Sequence, residues 1–222
     1  MTEYLKPTYF LDFEHPLVQD FTQKHTRGAE TPREKAVRLY YAVRDGFIYN
    51  PYQLDLRREG LQASNLAARA SGYCVEKSVL LAATCRAVGI PSRLSFFNVC
   101  NHIATERIEQ VLGTNVLVFH GATELFLEGK WVKATPAFNA ALCEKLNVET
   151  LEFTGLEDSI FQQFDRTGSA YMSYLHEYGA FEDMPYDTFL GELRKHYGTL
   201  VTEETLQSCG YVLNLLKFER KN

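Results

Sequence analysis

The stretch that decides the fold is GYCVEKSVLLAATCRAVGIPSR, from Gly72 to Arg93. It opens with a glycine-led turn and a cysteine, continues with apolar residues at helical spacing, and stops at Gly89-Ile90-Pro91. The pattern predicts a helix that begins at or near Cys74 and turns one apolar stripe toward the core. A helix start favours an anion, so we expect a depressed pKa and a nucleophilic thiol at Cys74. The alternative is an ordinary buried cysteine, because free cysteine is among the most buried residue types.

Length and charge narrow the class of protein. The chain has 222 residues, which fits one large domain or two small ones. We find no internal repeat, low-complexity tract or long linker, so we predict a single domain over 1–222 with its core motifs in 72–136. The formal net charge is −5 and no basic block stands out, which argues against nucleic acid or an anionic membrane as partner.

Targeting signals and cysteine usage point to one compartment. The first residues lack a basic region followed by an apolar run, so no signal peptide is expected. No apolar stretch approaches the roughly 18 residues that span a bilayer. The five cysteines are odd in number and show no C-x-x-C spacing, which is typical of free thiols in a reduced, cytoplasmic protein.

Helical patterns dominate the first part of the chain. Thr31, Pro32 and Glu34 have the spacing of a capping box, which predicts a helix that ends near Gly46. Phe47-Ile48-Tyr49 is predicted to be a short extended piece. Weaker patterns predict two short helices at 16–25 and 64–70, and an aromatic edge strand at 4–13.

The second part mixes strands and helices. Residues 93–100 have strand character, 104–113 are helical with Thr105 as cap, and 115–119 form a strand that ends at His120. A hairpin is predicted over 124–134, around a Glu128-Gly129 turn. From about Phe138 onward the pattern is mostly helical, over 139–146, 169–178, 185–196 and 203–217. Helices, then antiparallel strands, then more helices predict an α+β fold.

A cysteine nucleophile needs a base that takes its proton and later returns it, and histidine is the usual choice. Six histidines compete, and five of them have simpler explanations: His15 and His25 among polar residues, His176 and His196 on predicted helices beside charges, and His102 in a loop. His102 follows Cys100 by two residues, but two ligands make a weak metal signal. His120 differs, because a residue fixed at the end of a strand can be aimed at a helix start packed on that sheet.

Several motifs now occur in a fixed order. They are Gly72-Tyr73-Cys74, the helix end Arg86-Ala87-Val88-Gly89-Ile90-Pro91-Ser92-Arg93, then His120-Gly121-Ala122-Thr123-Glu124-Leu125, and Gly129-Lys130-Trp131-Val132. Over 72–136 the chain resembles the transglutaminase-like superfamily, a branch of the papain-like cysteine enzymes. The stretch 47–52 is similar to one that many members carry ahead of the nucleophile, and the tail beyond Asn139 is similar to that of bacterial members. The resemblance implies a nucleophile helix packed on an antiparallel sheet, with extra C-terminal helices over about 138–222.

The resemblance also implies roles. Cys74 would be the nucleophile and His120 the general base and acid. The third position, an Asp in the family's D-P-T, falls on Thr135, whose hydroxyl can accept a hydrogen bond from the imidazole but carries no charge. Asn139 is a substitute orienter, and a carboxylate from elsewhere is another.

The remaining predicted site residues form the oxyanion hole and the substrate cleft. Backbone N–H groups at the start of the Cys74 helix would form part of an oxyanion hole, with Tyr49 and Asn50 as candidates for the rest and Tyr73 beside them in the substrate cleft. Glu124 lies four residues after His120, and a structural role is favoured over a metal site. We expect no metal and no cofactor.

Two functions follow. The first is a thiol enzyme that attacks the carbonyl of a peptide or protein amide and passes the acyl group to water or to an amine. The second is a non-catalytic binding or scaffold domain of the same fold, which the threonine at Thr135 favours. The substrate and the oligomeric state stay open.

Overall fold

The computed structural model describes residues 1–102, 106–160 and 162–217, with the side chains of 106 and 107 excepted. The helices are α1 (Pro16–Thr26), α2 (Pro32–Gly46), α3 (Ala63–Ala67), α4 (Cys74–Ala87), α5 (Glu106–Leu112), α6 (Ala140–Lys145), α7 (Tyr186–His196) and α8 (Glu203–Ser208). The strands are β1 (Ile48–Tyr49), β2 (Gln53–Asp55), β3 (Ser71–Gly72), β4 (Ser92–Asn101), β5 (Val116–Leu127), β6 (Lys130–Ala134), β7 (Met172–Phe181) and β8 (Val212–Asn214). The fold is α+β, as predicted. Among the described residues, none of the helices has the length and apolar content needed to cross a bilayer.

Helix α4 is the centre of the molecule. It begins at Cys74, as the glycine-led turn predicts, and every residue from Cys74 to Arg86 is buried. The prediction of a single apolar stripe is therefore wrong: α1, α2 and α3 cover one side of the helix, and β5 covers the other. Gly121 makes the contact with β5 close, because a Cβ at that position would lie 3.0 Å from Val75 Cα.

One antiparallel sheet carries the strands in the order β6-β5-β4-β7. Strand β5 is continuous from Val116 to Leu127, whereas the sequence predicted two separate pieces on either side of His120. It turns at Glu128-Gly129, where both residues have positive φ, and pairs with β6 as the predicted hairpin. The sheet thus presents His120 from the middle of a long strand.

Two small strand pairs shape the region ahead of α4. Strand β1 runs parallel to β3, so that Tyr49 lies opposite Gly72, two residues before Cys74. Strand β2 pairs with β8 from the C-terminal segment, with Leu54 opposite Leu213. The C-terminal segment therefore contributes to the surroundings of Cys74, where Leu54 and Leu215 line the same pocket.

The prediction of a mostly helical C-terminal extension is wrong in two places. Residues 169–178 were predicted as a helix, but Met172–Phe181 form strand β7, the outer neighbour of β4. The reason is tertiary: β4 offers a free edge whose backbone groups need partners, and this overrides a weak local preference. The helix predicted over 203–217 ends at Ser208, because Gly210 and Tyr211 adopt positive φ before β8.

Of the other local predictions, some are confirmed and one is wrong. The capping box is present, with Glu34 N–H donating to Thr31 Oγ1 at 3.2 Å. The edge strand predicted over 4–13 is not formed, and its first residues belong to a 3₁₀ turn, Thr2–Leu5. The helix over 104–113 is observed as Glu106–Leu112, while its predicted cap, Thr105, lies outside the described residues.

Candidate active site

Cys74 is the first residue of α4, and a buried carboxylate supports that helix start. Tyr73 N–H donates to Glu76 Oε2 at 3.0 Å, and Arg69 donates to the other oxygen at 2.5 Å. Burial raises the pKa of Glu76 to about 7, against the lowering effect of Arg69. Glu76 was missed from sequence, although an acidic residue two positions after a helix-starting cysteine is a recognisable first-turn signal.

The thiol of Cys74 lies among hydrogen-bond donors. The backbone N–H groups of Gly121 and Val75 and the hydroxyl of Tyr49 act to lower its pKa, but burial outweighs them and raises it to about 11. The depressed pKa expected from the helix start is therefore wrong, because the side chain is only 8% exposed and water does not solvate the anion. The resting site holds a neutral thiol surrounded by groups that are placed to stabilise negative charge.

His120 is aimed by an irregularity in β5. The register between β4 and β5 shifts between Phe97 and Val99, and Phe119 adopts a φ of 61°, unusual for a residue other than glycine. Asn98 Oδ1 accepts the Phe119 N–H at 3.0 Å and holds this bulge in place. Bulges beside active sites commonly redirect a side chain. Asn98 was missed from sequence, although a polar residue inside the apolar run Phe96–Val99 is a usable signal.

Tyr197, from the end of α7, supports the same strand. Its hydroxyl accepts the Val118 N–H at 2.8 Å and donates to the Val116 carbonyl at 2.8 Å. Those backbone groups precede the bulge, so the hydroxyl takes the place of a neighbouring strand just ahead of His120. Nothing in the local sequence of Tyr197 indicates this contact, which is made 81 residues from Val116.

The imidazole of His120 is buried and neutral. It is 3% exposed, and burial lowers its pKa to about 4. Its Nδ1 has no hydrogen-bond partner among the described residues, and the same is true of Thr135 Oγ1. The predicted orienting hydrogen bond, from the His120 imidazole to the Thr135 hydroxyl, is therefore not formed.

The two other polar candidates support the backbone. Asn139 Oδ1 accepts the N–H of Tyr49 at 3.1 Å, so Asn139 holds β1 in place. Asn50 Oδ1 accepts the Tyr52 N–H at 3.0 Å and closes a local turn. Neither Asn139 nor Asn50 is among the residues that line the pocket at Cys74, whereas Tyr49 and Tyr73 are.

Two adjoining pockets form a cleft at the nucleophile. The first, which we call the Cys74 pocket, has a volume of about 70 Å³, and the second, the Tyr171 pocket, about 130 Å³. Lining the Cys74 pocket are Tyr49, Pro51, Leu54, Tyr73, Cys74, Ile108, Leu112, Leu117, Val118, Phe119, His120, Phe189, Leu193, Tyr197 and Leu215. Lining the Tyr171 pocket are Tyr49, Pro51, Tyr52, Asn101, Ile108, Leu117, Phe138, Leu142, Leu146 and Tyr171. The structure thus brings Cys74, His120, Tyr49 and Tyr73 to one cavity.

Comparison with models of protein families shows which family this chain belongs to. The profile described as the transglutaminase-like superfamily matches residues 19–136, which is more than half of the chain. The chain belongs to the transglutaminase-like superfamily. The match includes Cys74 and His120 and ends one residue after Thr135.

Solved structures similar to this superfamily member are distant. A candidate cysteine protease from Cytophaga hutchinsonii is 14% identical with a TM-score of 0.47, over 80% of this chain and 52% of that protein. A candidate protease from Parabacteroides distasonis is 15% identical with a TM-score of 0.38, over 57% of this chain and 26% of that protein. The chain thus spans about half the length of the first. The comparison with curated proteins gives no match.

A buried lysine ties the superfamily core together beside the nucleophile. Lys77 is fully buried one turn after Cys74, and its Nζ donates to the carbonyls of Arg44, Phe47 and Ala137 at 2.8, 3.0 and 2.7 Å. Burial lowers the pKa of Lys77 to about 7, whereas three carbonyl acceptors call for the three protons of the ammonium form. We therefore assign the charged form, which joins α2, β1 and the end of the hairpin to α4.

Glu124 has a structural environment. Its carboxylate accepts hydrogen bonds from Arg93 at 2.7 Å and from Ser95 at 3.1 Å, across the β4–β5 pair. No group of three metal-ligating side chains occurs within the part of the chain that the structure describes.

Proposed function

We propose that this protein is a thiol enzyme that acts on amide or peptide carbonyls, with Cys74 as nucleophile and His120 as general base and acid. One observation carries the proposal. Cys74, at the start of α4, and His120, after the β5 bulge, line one buried pocket, and the Gly121 and Val75 N–H groups and the Tyr49 hydroxyl face the thiol.

The resting state is a neutral thiol and a neutral imidazole, since burial raises one pKa to about 11 and lowers the other to about 4. Proton transfer therefore accompanies attack: His120 takes the thiol proton as sulfur bonds to the carbonyl carbon. The carbonyl oxygen becomes an oxyanion, which backbone N–H groups at the start of α4 stabilise. His120 then gives the proton to the departing amine, and the C–N bond breaks to leave a thioester on Cys74.

The second half of the reaction decides the enzyme class. Water gives hydrolysis, as in a protease or amidase, and a second amine gives acyl transfer, as in a transglutaminase. The substrate in either case is a peptide or protein amide. No side chain of the described residues orients His120 through Nδ1, so the ring depends on packing and on the bulge held by Asn98.

A second candidate is a non-catalytic domain that binds a partner in the same cleft. The free Nδ1 of His120 favours it, because a triad with an orienting carboxylate stabilises the imidazolium that forms during attack.

Trapping of an acyl-enzyme separates the two. The protein is incubated with a panel of peptide amides and a fluorescent primary amine, and intact-mass and peptide mass spectrometry locate the adduct. An enzyme gives an acyl adduct on Cys74 that hydroxylamine releases, and both Cys74→Ala and His120→Ala abolish it. Cys209→Ala is the matched control, because Cys209 is a half-buried thiol absent from the lining of the cleft.

The partition of the label then distinguishes hydrolysis from transfer. Free acid with unlabelled amine indicates hydrolysis, and a fluorescent amide indicates transfer. Absence of a Cys74 adduct with every amide, together with an alkylation rate of Cys74 that His120→Ala leaves unchanged, would rule out the enzyme.

A further inference from the structure

The cleft beside Cys74 is built from two parts of the chain. One wall comes from the region that the superfamily profile matches, with Tyr49, Leu54 and Leu117. The facing wall comes from beyond residue 136, with Phe189 and Leu193 of α7 in the Cys74 pocket. The Tyr171 pocket is closed in the same way, by Phe138, Leu142 and Leu146. The segment after the superfamily match therefore supplies part of the wall of both pockets.

The side chains that line the two pockets are mostly apolar and uncharged. None of the described residues that line the Cys74 pocket or the Tyr171 pocket carries a carboxylate, an ammonium or a guanidinium. An ionised group that entered the cleft would lose its hydration without gaining a counter-charge, which is strongly unfavourable. An apolar group would gain by leaving water, in proportion to the surface it buries.

The sizes of the pockets set the bulk of the ligand. The Tyr171 pocket, at about 130 Å³, is close to the cavity of about 150 Å³ that takes a benzene ring. The Cys74 pocket, at about 70 Å³, is smaller and holds the reacting group as well. The two pockets share Tyr49, Pro51, Ile108 and Leu117, so a group bound at the nucleophile can extend from one into the other.

We propose that this cleft binds the acyl side of an amide substrate carrying a bulky, uncharged apolar group. The inference rests on the proposed function only in naming Cys74 as the point of attachment. The acyl group stays on Cys74 through the thioester stage, so it is the part of the substrate that the adjoining walls must accommodate. An amide with a charged acyl group of equal length is a poor substrate.

The experiment uses two alkylating probes of matched length, N-butyl-iodoacetamide and N-(3-carboxypropyl)iodoacetamide. Each forms a bond from Cys74 Sγ to carbon as the carbon–iodine bond breaks; iodide leaves and the thiol proton goes to buffer. Rates are measured at about pH 9. Both probes attack the same Cys74 thiol, whose pKa burial raises to about 11, so the thiolate fraction and any effect of His120 cancel in the ratio of the two rates. Peptide mass spectrometry follows Cys74 alone, and N-acetylcysteine amide gives the intrinsic rate of each probe.

After that correction we expect the butyl probe to label Cys74 at least about ten-fold faster than the carboxylate probe. Leu117→Lys places a cation on the half-buried side chain shared by both pockets, and the ratio should fall at least about five-fold or reverse. Leu175→Lys is the control, since Leu175 is 55% exposed on β7 and absent from the lining of the cleft; its ratio should stay that of the wild type. Leu54→Lys repeats the test from the other side if Leu117→Lys does not fold.

A wild-type ratio near one, or an equal change in the Leu117 and Leu175 variants, overturns the inference. The proposed function fails separately. Selective labelling without any acyl-enzyme leaves an apolar cleft that performs no turnover, whereas acyl-enzyme formed equally from charged and apolar amides leaves the enzyme and removes the selectivity.

Discussion

The region matched by the superfamily profile and the segment that follows it contribute different kinds of side chain to the same cleft. The first region buries three side chains that can carry charge. Glu76 and Lys77 lie within three residues of Cys74 on α4, and His120 lies on β5. The described residues of the second contribute apolar side chains and tyrosines to the walls. The ionisable groups Glu76, Lys77 and His120 thus come from the first region, and the second adds uncharged side chains to the walls of the cleft.

The second region also supports the structure of the first. Strand β7 covers the edge of β4, and the Tyr197 hydroxyl holds β5 ahead of His120. Arg86, near the end of α4, donates to the carbonyl of Glu182 at 2.6 Å. Substitutions that separate the contribution of each region to stability and to protonation test the comparison.

The largest effect is expected inside the superfamily core. Lys77→Met keeps the length of the side chain but leaves three carbonyls buried without a donor, which should lower the free energy of unfolding by about 3–5 kcal/mol. Urea denaturation measures the loss, and Lys145→Met, at an exposed position of α6, is the control. A loss below about 1 kcal/mol would show that the lysine does not hold the core together.

The next effect comes from His120. Its folded pKa of about 4 lies below the ordinary 6.5, so between these values the unfolded chain binds the extra proton. The stabilisation is fully present above pH 6.5 and is lost as the pH falls through 4, by about 3 kcal/mol. The difference in unfolding free energy between wild type and His120→Gln should follow this window.

The comparison with His120→Gln isolates the histidine, because Glu76, whose raised pKa acts in the opposite direction with pH, is present in both proteins. His176→Gln, at an exposed position of β7, is the matched control for replacing a histidine outside the core. A difference that does not vary with pH between 4 and 6.5 would mean that the imidazole is not buried as described.

A smaller effect is expected where the second region meets the first. Tyr197→Phe removes the hydroxyl that satisfies Val118 N–H and the Val116 carbonyl, at a cost of about 1–3 kcal/mol. The acyl-enzyme should also form more slowly, because β5 is less well held ahead of His120. Tyr9→Phe, at an exposed tyrosine, is the matched control. An unchanged acylation rate would confine the role of Tyr197 to stability.

The smallest effect is expected at the boundary of the two regions. Thr135 Oγ1 is buried and has no partner among the described residues, so Thr135→Val exchanges an unsatisfied hydroxyl for a methyl group of similar shape. Thermal unfolding should show no loss, and at most about 1 kcal/mol of gain. Thr135→Ser is the control, because it keeps the hydroxyl. Destabilisation by valine but not by serine would show that the hydroxyl has a partner after all.

The sequence predicted the parts of the fold that depend on local signals. The start of α4 at Cys74, the capping box at Thr31 and the Glu128-Gly129 turn follow from residue types at fixed spacing. Strand β7 did not, because its conformation is decided by the free edge of β4, which lies far away in sequence. The prediction that α4 is amphipathic was wrong for a related reason. The helix is covered on every side, and only the assembled helices and sheet show this.

The features of the candidate site that depend on local signals were likewise predicted, and those that depend on tertiary contacts were not. Residue types and motif order pointed to Cys74, His120, Tyr49 and Tyr73, which meet in one pocket. The pKa of the thiol was predicted in the wrong direction, because a helix start is a local property and burial is not. Tyr197 and Lys77 could not be recognised, since their partners are backbone groups that carry no sequence signal.

The three carbonyls around Lys77 also constrain the order of events during synthesis. Arg44 and Phe47 precede the lysine, but the third carbonyl belongs to Ala137, 60 residues later. A nascent chain that has emerged only as far as β5 holds an ammonium group that lacks one of its acceptors. The set of contacts that surrounds Lys77, one turn after Cys74, is therefore complete only once Ala137, three residues beyond β6, has left the exit tunnel.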